Sequence, residues 1–220
     1  MKVVDLTLPI IPHWRYGLEQ KLAHTFAGGS RTQHTRFTLQ SHWYTHIDAP
    51  RHFVDGGKTL DEYPLDMFVG PATVLDCSDI GENGAIDKAR LEKALGGRAL
   101  KDIVLIKTCW GKKCDWTTTD FWDKAPYMTR DGAIWLRERG ARVVGFDFPQ
   151  DHDIRLIRLK GEHGLDMPTH DELLMKGVIM IEYLNNMWGF DGDEVKFVGL
   201  PLNLQNADGA PIRAVVVIDD

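Results

Sequence analysis

The chain has 220 residues, 43% of them hydrophobic and 26% charged, with a formal net charge of −6. That balance fits one globular domain over residues 1–220 and argues against both a disordered chain and the dense positive surface of a nucleic-acid binder. The longest apolar runs, such as Ala214–Ile218, are about five residues, far short of the roughly 20 that a membrane span needs.

Residues Met1–Leu8 include an acid and no apolar leader, so no secretory signal is expected. Val3–Leu6, Arg36–Leu39 and Ala72–Cys77 have strand length and β-forming residues. Asp87–Leu95 reads as a helix with Ala89, Leu91, Ala94 and Leu95 on one side. A strand over Ile103–Thr108 follows, then a helix over Asp131–Arg139 that stops at Gly140. Arg142–Phe146 is the next strand. Pro168–Lys176 reads as a helix opened by a capping box, with the Thr169 hydroxyl on a backbone N–H near Glu172 and Glu172 reaching back. Val178–Ile181, Phe197–Leu200 and Ala214–Ile218 complete the strands. About eight strands interleaved with at least three helices indicate an α/β domain with a mixed sheet.

The three cysteines, Cys77, Cys109 and Cys114, are odd in number and form no C-x-x-C, so a reduced, cytoplasmic setting is expected. No G-x-G, G-x-S-x-G or H-E-x-x-H occurs. Gly57-Lys58-Thr59 imitates the tail of a phosphate loop, but His52 stands where the first glycine belongs. The segment reads as a turn in which Gly56 and Gly57 supply positive φ.

Three of the nine histidines, His42, His46 and His52, fall in one eleven-residue window with Asp48 and Pro50. Neutral imidazole and carboxylate suit Zn²⁺, Mn²⁺ or Fe²⁺. On a straight strand the Cα atoms of His42 and His46 would lie about 13 Å apart, too far for one ion. On a helix Asp48 would turn away from them, and Pro50 disfavours helix at Ala49. Sharing an ion therefore requires a sharp coil after the Arg36–Leu39 strand. Downstream, His170 opens a helix whose dipole disfavours its protonation. Glu182 follows four apolar residues, where a bare charge is costly unless a cation faces it.

The window His42–His52 resembles the H-x-G-T-H-x-D-x-P-x-H signature of the cyclase/kynurenine formamidase family of metal-dependent hydrolases, which includes bacterial arylformamidases and isatin hydrolases. Asp5-Leu6-Thr7-Leu8-Pro9-Ile10 is similar to the family's opening segment. Phe53 to Ala72, with Gly57, Pro64-Leu65 and Phe68, is similar to the stretch after the signature. The resemblance implies a swivelling β/β/α fold, assembled as a homodimer or homotetramer. It implies a first metal on His42, His46 and Asp48, and a second bridged by Asp48 to His170 and Glu182. The ions, one or two per chain, would be Zn²⁺ or else Mn²⁺. His52 would be the general acid/base, and Trp14 would contact an aromatic small-molecule substrate. The implied reaction is hydrolysis of a formamide or lactam by metal-activated water. The competing readings are a lyase or cyclisation with the same metal, and a metal-binding protein without turnover.

One position departs from the signature. The family's glycine is Tyr44 here. Tyr44 can follow the bend with a negative φ, which would place its phenol near the metal, where it either binds a substrate oxygen or narrows the pocket. The segment Gln150-Asp151-His152-Asp153 matches no family residue and is given no role.

Overall fold

The computed structural model describes residues 1–157, 161 and 164–218. The strands are β1 (Lys2–Asp5), β2 (Glu19–His24), β3 (His34–Thr38), β4 (His46–Asp48), β5 (Val69–Asp76), β6 (Ala85–Ile86), β7 (Ile103–Lys107), β8 (Tyr127–Met128), β9 (Val143–Phe146), β10 (Ile179–Glu182), β11 (Glu194–Val198), β12 (Gly209–Pro211) and β13 (Val215–Ile218). The helices are α1 (Lys88–Leu95), α2 (Trp110–Lys113), α3 (Asp120–Asp123), α4 (Arg130–Glu138) and α5 (Pro168–Glu172). Nine strands form one mixed sheet in the order β1-β13-β11-β5-β7-β9-β10-β4-β12. Its centre, β5-β7-β9-β10, is parallel, and the flanking pairs are antiparallel. The expected mixed α/β architecture is the one observed.

The central strands are apolar on both sides because both faces of the sheet are covered. On β7, Val104 and Ile106 join a core that includes Leu91 and Leu95 of α1 and Ala133 and Leu136 of α4. Ile103 and Leu105 alternate into a second core with Val74, Ile179, Ile181 and Phe197. Local signals set the two longer helices. Asp87 accepts from the Arg90 N–H at 2.8 Å to cap α1, and Gly96 ends it at φ 60°. Thr129 caps α4, and Gly140 follows at φ 89°.

Three local expectations are corrected. The helix expected over Pro168–Lys176 stops at Glu172 and continues as a 3₁₀ turn over Leu174–Lys176. Its capping box does not form, because Pro168 occupies the first helical position and places Thr169 inside the helix. The Thr169 N–H and hydroxyl both donate to Asp151, while Glu172 accepts from Arg130 and Arg137. Thr59 and Glu62 form a capping box instead, on the 3₁₀ turn Leu60–Glu62. At the glycine turn only Gly56 has positive φ; a Cβ on Gly57 would lie 2.8 Å from the Val54 carbonyl oxygen, so that glycine serves a close approach. No described helix is long and apolar enough to cross a membrane.

Candidate metal centre

The site forms where β4 lies between β10 and β12. Antiparallel pairing sets Glu182 opposite His46 and Met180 opposite Asp48. His46 and Asp48, two residues apart, share one face of β4, while Ile47 between them enters the second core. Glu182 and His46 are therefore cross-strand neighbours on the face that carries the helices. On the other side of β4, Gly209 of β12 stands opposite Asp48. A Cβ there would lie 2.5 Å from Cε1 of His42, so this glycine leaves room for the imidazole.

His42 reaches the centre through a turn rather than a strand. The required coil is present, but Tyr44 makes it with φ +58°, not the negative value expected. That left-handed conformation costs a side-chain-bearing residue about 1–2 kcal/mol. Packing offsets the cost: Tyr44 is buried, its hydroxyl donates to the Ile11 carbonyl, and its ring lies 4.6 Å from that of Tyr16. The phenol is thus held behind the turn and does not line the cleft, unlike the placement expected for it.

The imidazoles are oriented from outside. His46 Nδ1 lies 2.9 Å from the Tyr44 carbonyl oxygen, which leaves Nε2 facing Asp48 Oδ1 at 3.1 Å and Glu182 Oε2 at 3.7 Å. His170 Nδ1 lies 2.5 Å from Asp151 Oδ2, and its Nε2 faces Glu182 Oε1 at 3.7 Å and Asp48 Oδ2 at 3.9 Å. His42 Nδ1 is 2.7 Å from Asp48 Oδ1, and its Nε2 is 3.0 Å from Asp208 Oδ2. Ligand atoms of His42, His46 and Asp48 lie within 4.8 Å of one another, as do those of Asp48, His170 and Glu182. Asp48 belongs to both groups. His52, on the turn Pro50–His52, stacks on His42 at 3.7 Å between ring centroids and forms a third group with His42 and Asp208.

The electrostatics are those of an anionic pit. Asp48 and Glu182 are both buried. Burial opposes ionisation of Asp48, but His46 and His42 outweigh it and hold the carboxyl well below its ordinary value. Burial and the Asp48 charge push Glu182 up. His170 was expected to stay neutral on the helix dipole. Burial does favour that, but the hydrogen bond and charge of Asp151 prevail and raise it to about 9. A five-residue helix has little dipole to set against a carboxylate at 2.5 Å.

Gln150, Asp151 and Asp208 escape the sequence reading. Gln150 donates to Glu182, and Asp151 holds both the start of α5 and His170. For Gln150 and Asp151 the available signal was position: they follow the apolar run of the parallel strand β9, where such sheets place their sites, whereas Asp208 stands just before the antiparallel β12 and carries no such signal. A cleft of about 550 Å³ opens over the centre. Trp14, Tyr16, Trp43 and Phe53 line it together with His46, His52, His170 and Glu182.

Comparison with known proteins identifies the family and the fold. The Cyclase family model matches residues 4–151. The kynurenine formamidase of Bacillus thuringiensis (strain Al Hakam) is 31% identical over 181 residues, covering 82% of this chain and 78% of the relative. The solved structure of a predicted metal-dependent hydrolase from Bacillus stearothermophilus is 27% identical, with a TM-score of 0.70 over 98% of this chain and 97% of that one. Isatin hydrolase A from Ralstonia solanacearum shares the fold, with a TM-score of 0.80 at 21% identity over 99% of this chain and 92% of that one. The resemblance carried by the His42–His52 window is borne out: the chain belongs to the Cyclase family of metal-dependent hydrolases.

Proposed function

We propose that this chain hydrolyses a formamide or lactam attached to an aromatic ring, using divalent metal held at Asp48. The observation that carries the proposal is the buried carboxylate pair: Asp48 Oδ2 has no hydrogen-bond partner among the described residues, and Glu182 is buried beside it. Two buried carboxylates cost several kcal/mol each without a compensating cation. Three imidazoles, each with one nitrogen already engaged, stand around them and would become neutral donors as a metal displaces their protons. This donor set fits Zn²⁺ first and Mn²⁺ second.

In this reading His42, His46 and Asp48 hold one ion, and Asp48, His170 and Glu182 hold another. When bound, the metal supplies Lewis-acid polarisation of a carbonyl and lowers the pKa of water. The protein does the rest. His52, an imidazole beside the centre, passes a proton to the leaving nitrogen. Trp14 offers its ring at the cleft wall to the aromatic part of the substrate. Tyr44 acts from behind, by fixing the turn that delivers His42.

Assembly as a homodimer or homotetramer is part of the proposal. The β2–β3 hairpin supports it, being exposed along its whole length with Leu22 and Phe37 outward. The three free thiols support a cytoplasmic location. The test is turnover of N-formylkynurenine and of isatin before and after chelation. The reading expects hydrolysis of at least one, lost on chelation and restored by Zn²⁺ or Mn²⁺. No hydrolysis by metal-loaded protein, or turnover indifferent to chelator, would overturn it. Product mass separates hydrolysis from elimination or cyclisation, because only hydrolysis adds water.

A further inference from the structure

One cation in the cleft has no counterpart in this mechanism. Arg15 lies between Trp14 and Tyr16 in the sequence and lines the same cleft as the carboxylate pit. Its guanidinium carbon sits 4.2 Å from the ring centroid of Trp122, a buried residue. The backbone around it is tethered. The Arg15 N–H donates to His13 Nδ1 at 3.1 Å, and the Tyr16 N–H donates to the His13 carbonyl at 3.1 Å. His13 in turn stacks on Trp116 with an interplanar angle of 7°.

Among the described residues, Arg15 is the one half-buried arginine whose side chain meets no oxygen. Arg90, Arg98, Arg130, Arg137 and Arg155 are likewise half-buried, and each donates to a carboxylate, a carbonyl or an amide. The chain carries 32 acidic residues, so a partner was not scarce. A guanidinium stacked on an indole has one face covered and its in-plane N–H donors free, an arrangement that accepts a carboxylate through two parallel hydrogen bonds.

We infer that Arg15 is a specificity-determining residue of the cleft, the receptor that selects substrates by a carboxylate outside the scissile amide. The amide portion of this inference rests on the function proposed above; the receptor itself rests on Arg15, Trp122 and the cleft.

The experiment uses aryl formamides bearing a carboxylate on tethers of increasing length, each paired with its methyl ester, on metal-loaded protein. The readout is the ratio of kcat/KM for acid over ester, which cancels differences in active fraction. A charge-assisted hydrogen bond predicts a ratio of roughly 10–150 for the tether that fits. Arg15→Gln is expected to bring that ratio to within about twofold of unity, and Arg15→Lys to an intermediate value. Calorimetric affinities of the non-hydrolysable aryl-ketone acids and esters give the same comparison without turnover. If no formamide is cleaved, the proposed reaction fails, and the binding ratios still decide the receptor. No preference for acid at any tether, or a preference that survives Arg15→Gln because the metal reads the carboxylate, overturns the inference.

Discussion

Asp151→Asn isolates the support of His170 at almost constant volume. Asp151 Oδ1 accepts from the Thr169 N–H at 2.8 Å, and Oδ2 accepts from the Thr169 hydroxyl at 2.6 Å and from His170 Nδ1 at 2.5 Å. An asparagine keeps one acceptor oxygen and turns the other into an N–H₂ donor. Facing Thr169 N–H, that amide leaves a buried backbone donor unsatisfied, at about 1–3 kcal/mol. Facing His170, it drives the ring proton to Nε2, the nitrogen that looks toward Asp48 and Glu182. Either outcome weakens ligation by the Asp48–His170–Glu182 group. Loss of an outer-shell partner to a ligating histidine costs about 10–100-fold in metal affinity, or about 1.4–2.7 kcal/mol. Competition titration against a fluorescent chelator reads this directly. The variant should show one weakened binding step, while the step belonging to His42 and His46 keeps its affinity. Binding within twofold of wild type at both steps would refute the reasoning.

Three further outcomes are expected. His52→Ala keeps its metal and loses about 10²–10⁴-fold in turnover, the usual worth of a general acid–base; full activity would remove His52 from the mechanism. Gly209→Ala sets a methyl 2.5 Å from His42 Cε1 and 2.9 Å from the Ile47 carbonyl oxygen, so His42 must move and metal retention should fall; unchanged retention would contradict the role of that glycine. Asp147 is buried and, among the described residues, accepts only from Thr108 and Cys109, and burial pushes its carboxyl up to about 6. Its folded value exceeds the unfolded one of about 3.9, so its contribution to stability is complete below that pH and is lost as pH rises through 6. With both proteins metal-free, the stability of wild type relative to Asp147→Asn should therefore grow by about 2 kcal/mol between pH 7.5 and 4.5. A constant or shrinking gap in denaturant titrations would show that Asp147 is not so perturbed.

Much of this architecture was legible in the residues. All eight expected strands are present within a few positions, because buried strands such as Ile103–Lys107 advertise themselves as apolar runs. The short strands were not readable. His46–Asp48 is three residues long and mostly polar, and Gly209–Pro211 contains glycine and proline; both are strands because they pair with neighbours far away in sequence. The proposed ligand residues were visible through their spacing and through the family resemblance. Their supports were not, since Asp151 and Asp208 act across 19 and 166 residues on His170 and His42. Tyr44 shows a different limit. Its left-handed backbone depends on Ile11 and Tyr16 packing against it, and no local rule in the window predicts that.

The central claim is that Asp48 is the residue shared by two metal-binding groups. Metal content by plasma mass spectrometry, on wild type and Asp48→Asn reconstituted with Zn²⁺ or Mn²⁺ and dialysed identically, tests it most directly. Wild type should retain one or two ions per chain, and Asp48→Asn should lose them from both groups together. Wild type that holds no metal after reconstitution, or an Asp48→Asn variant that holds as much as wild type, would contradict the account.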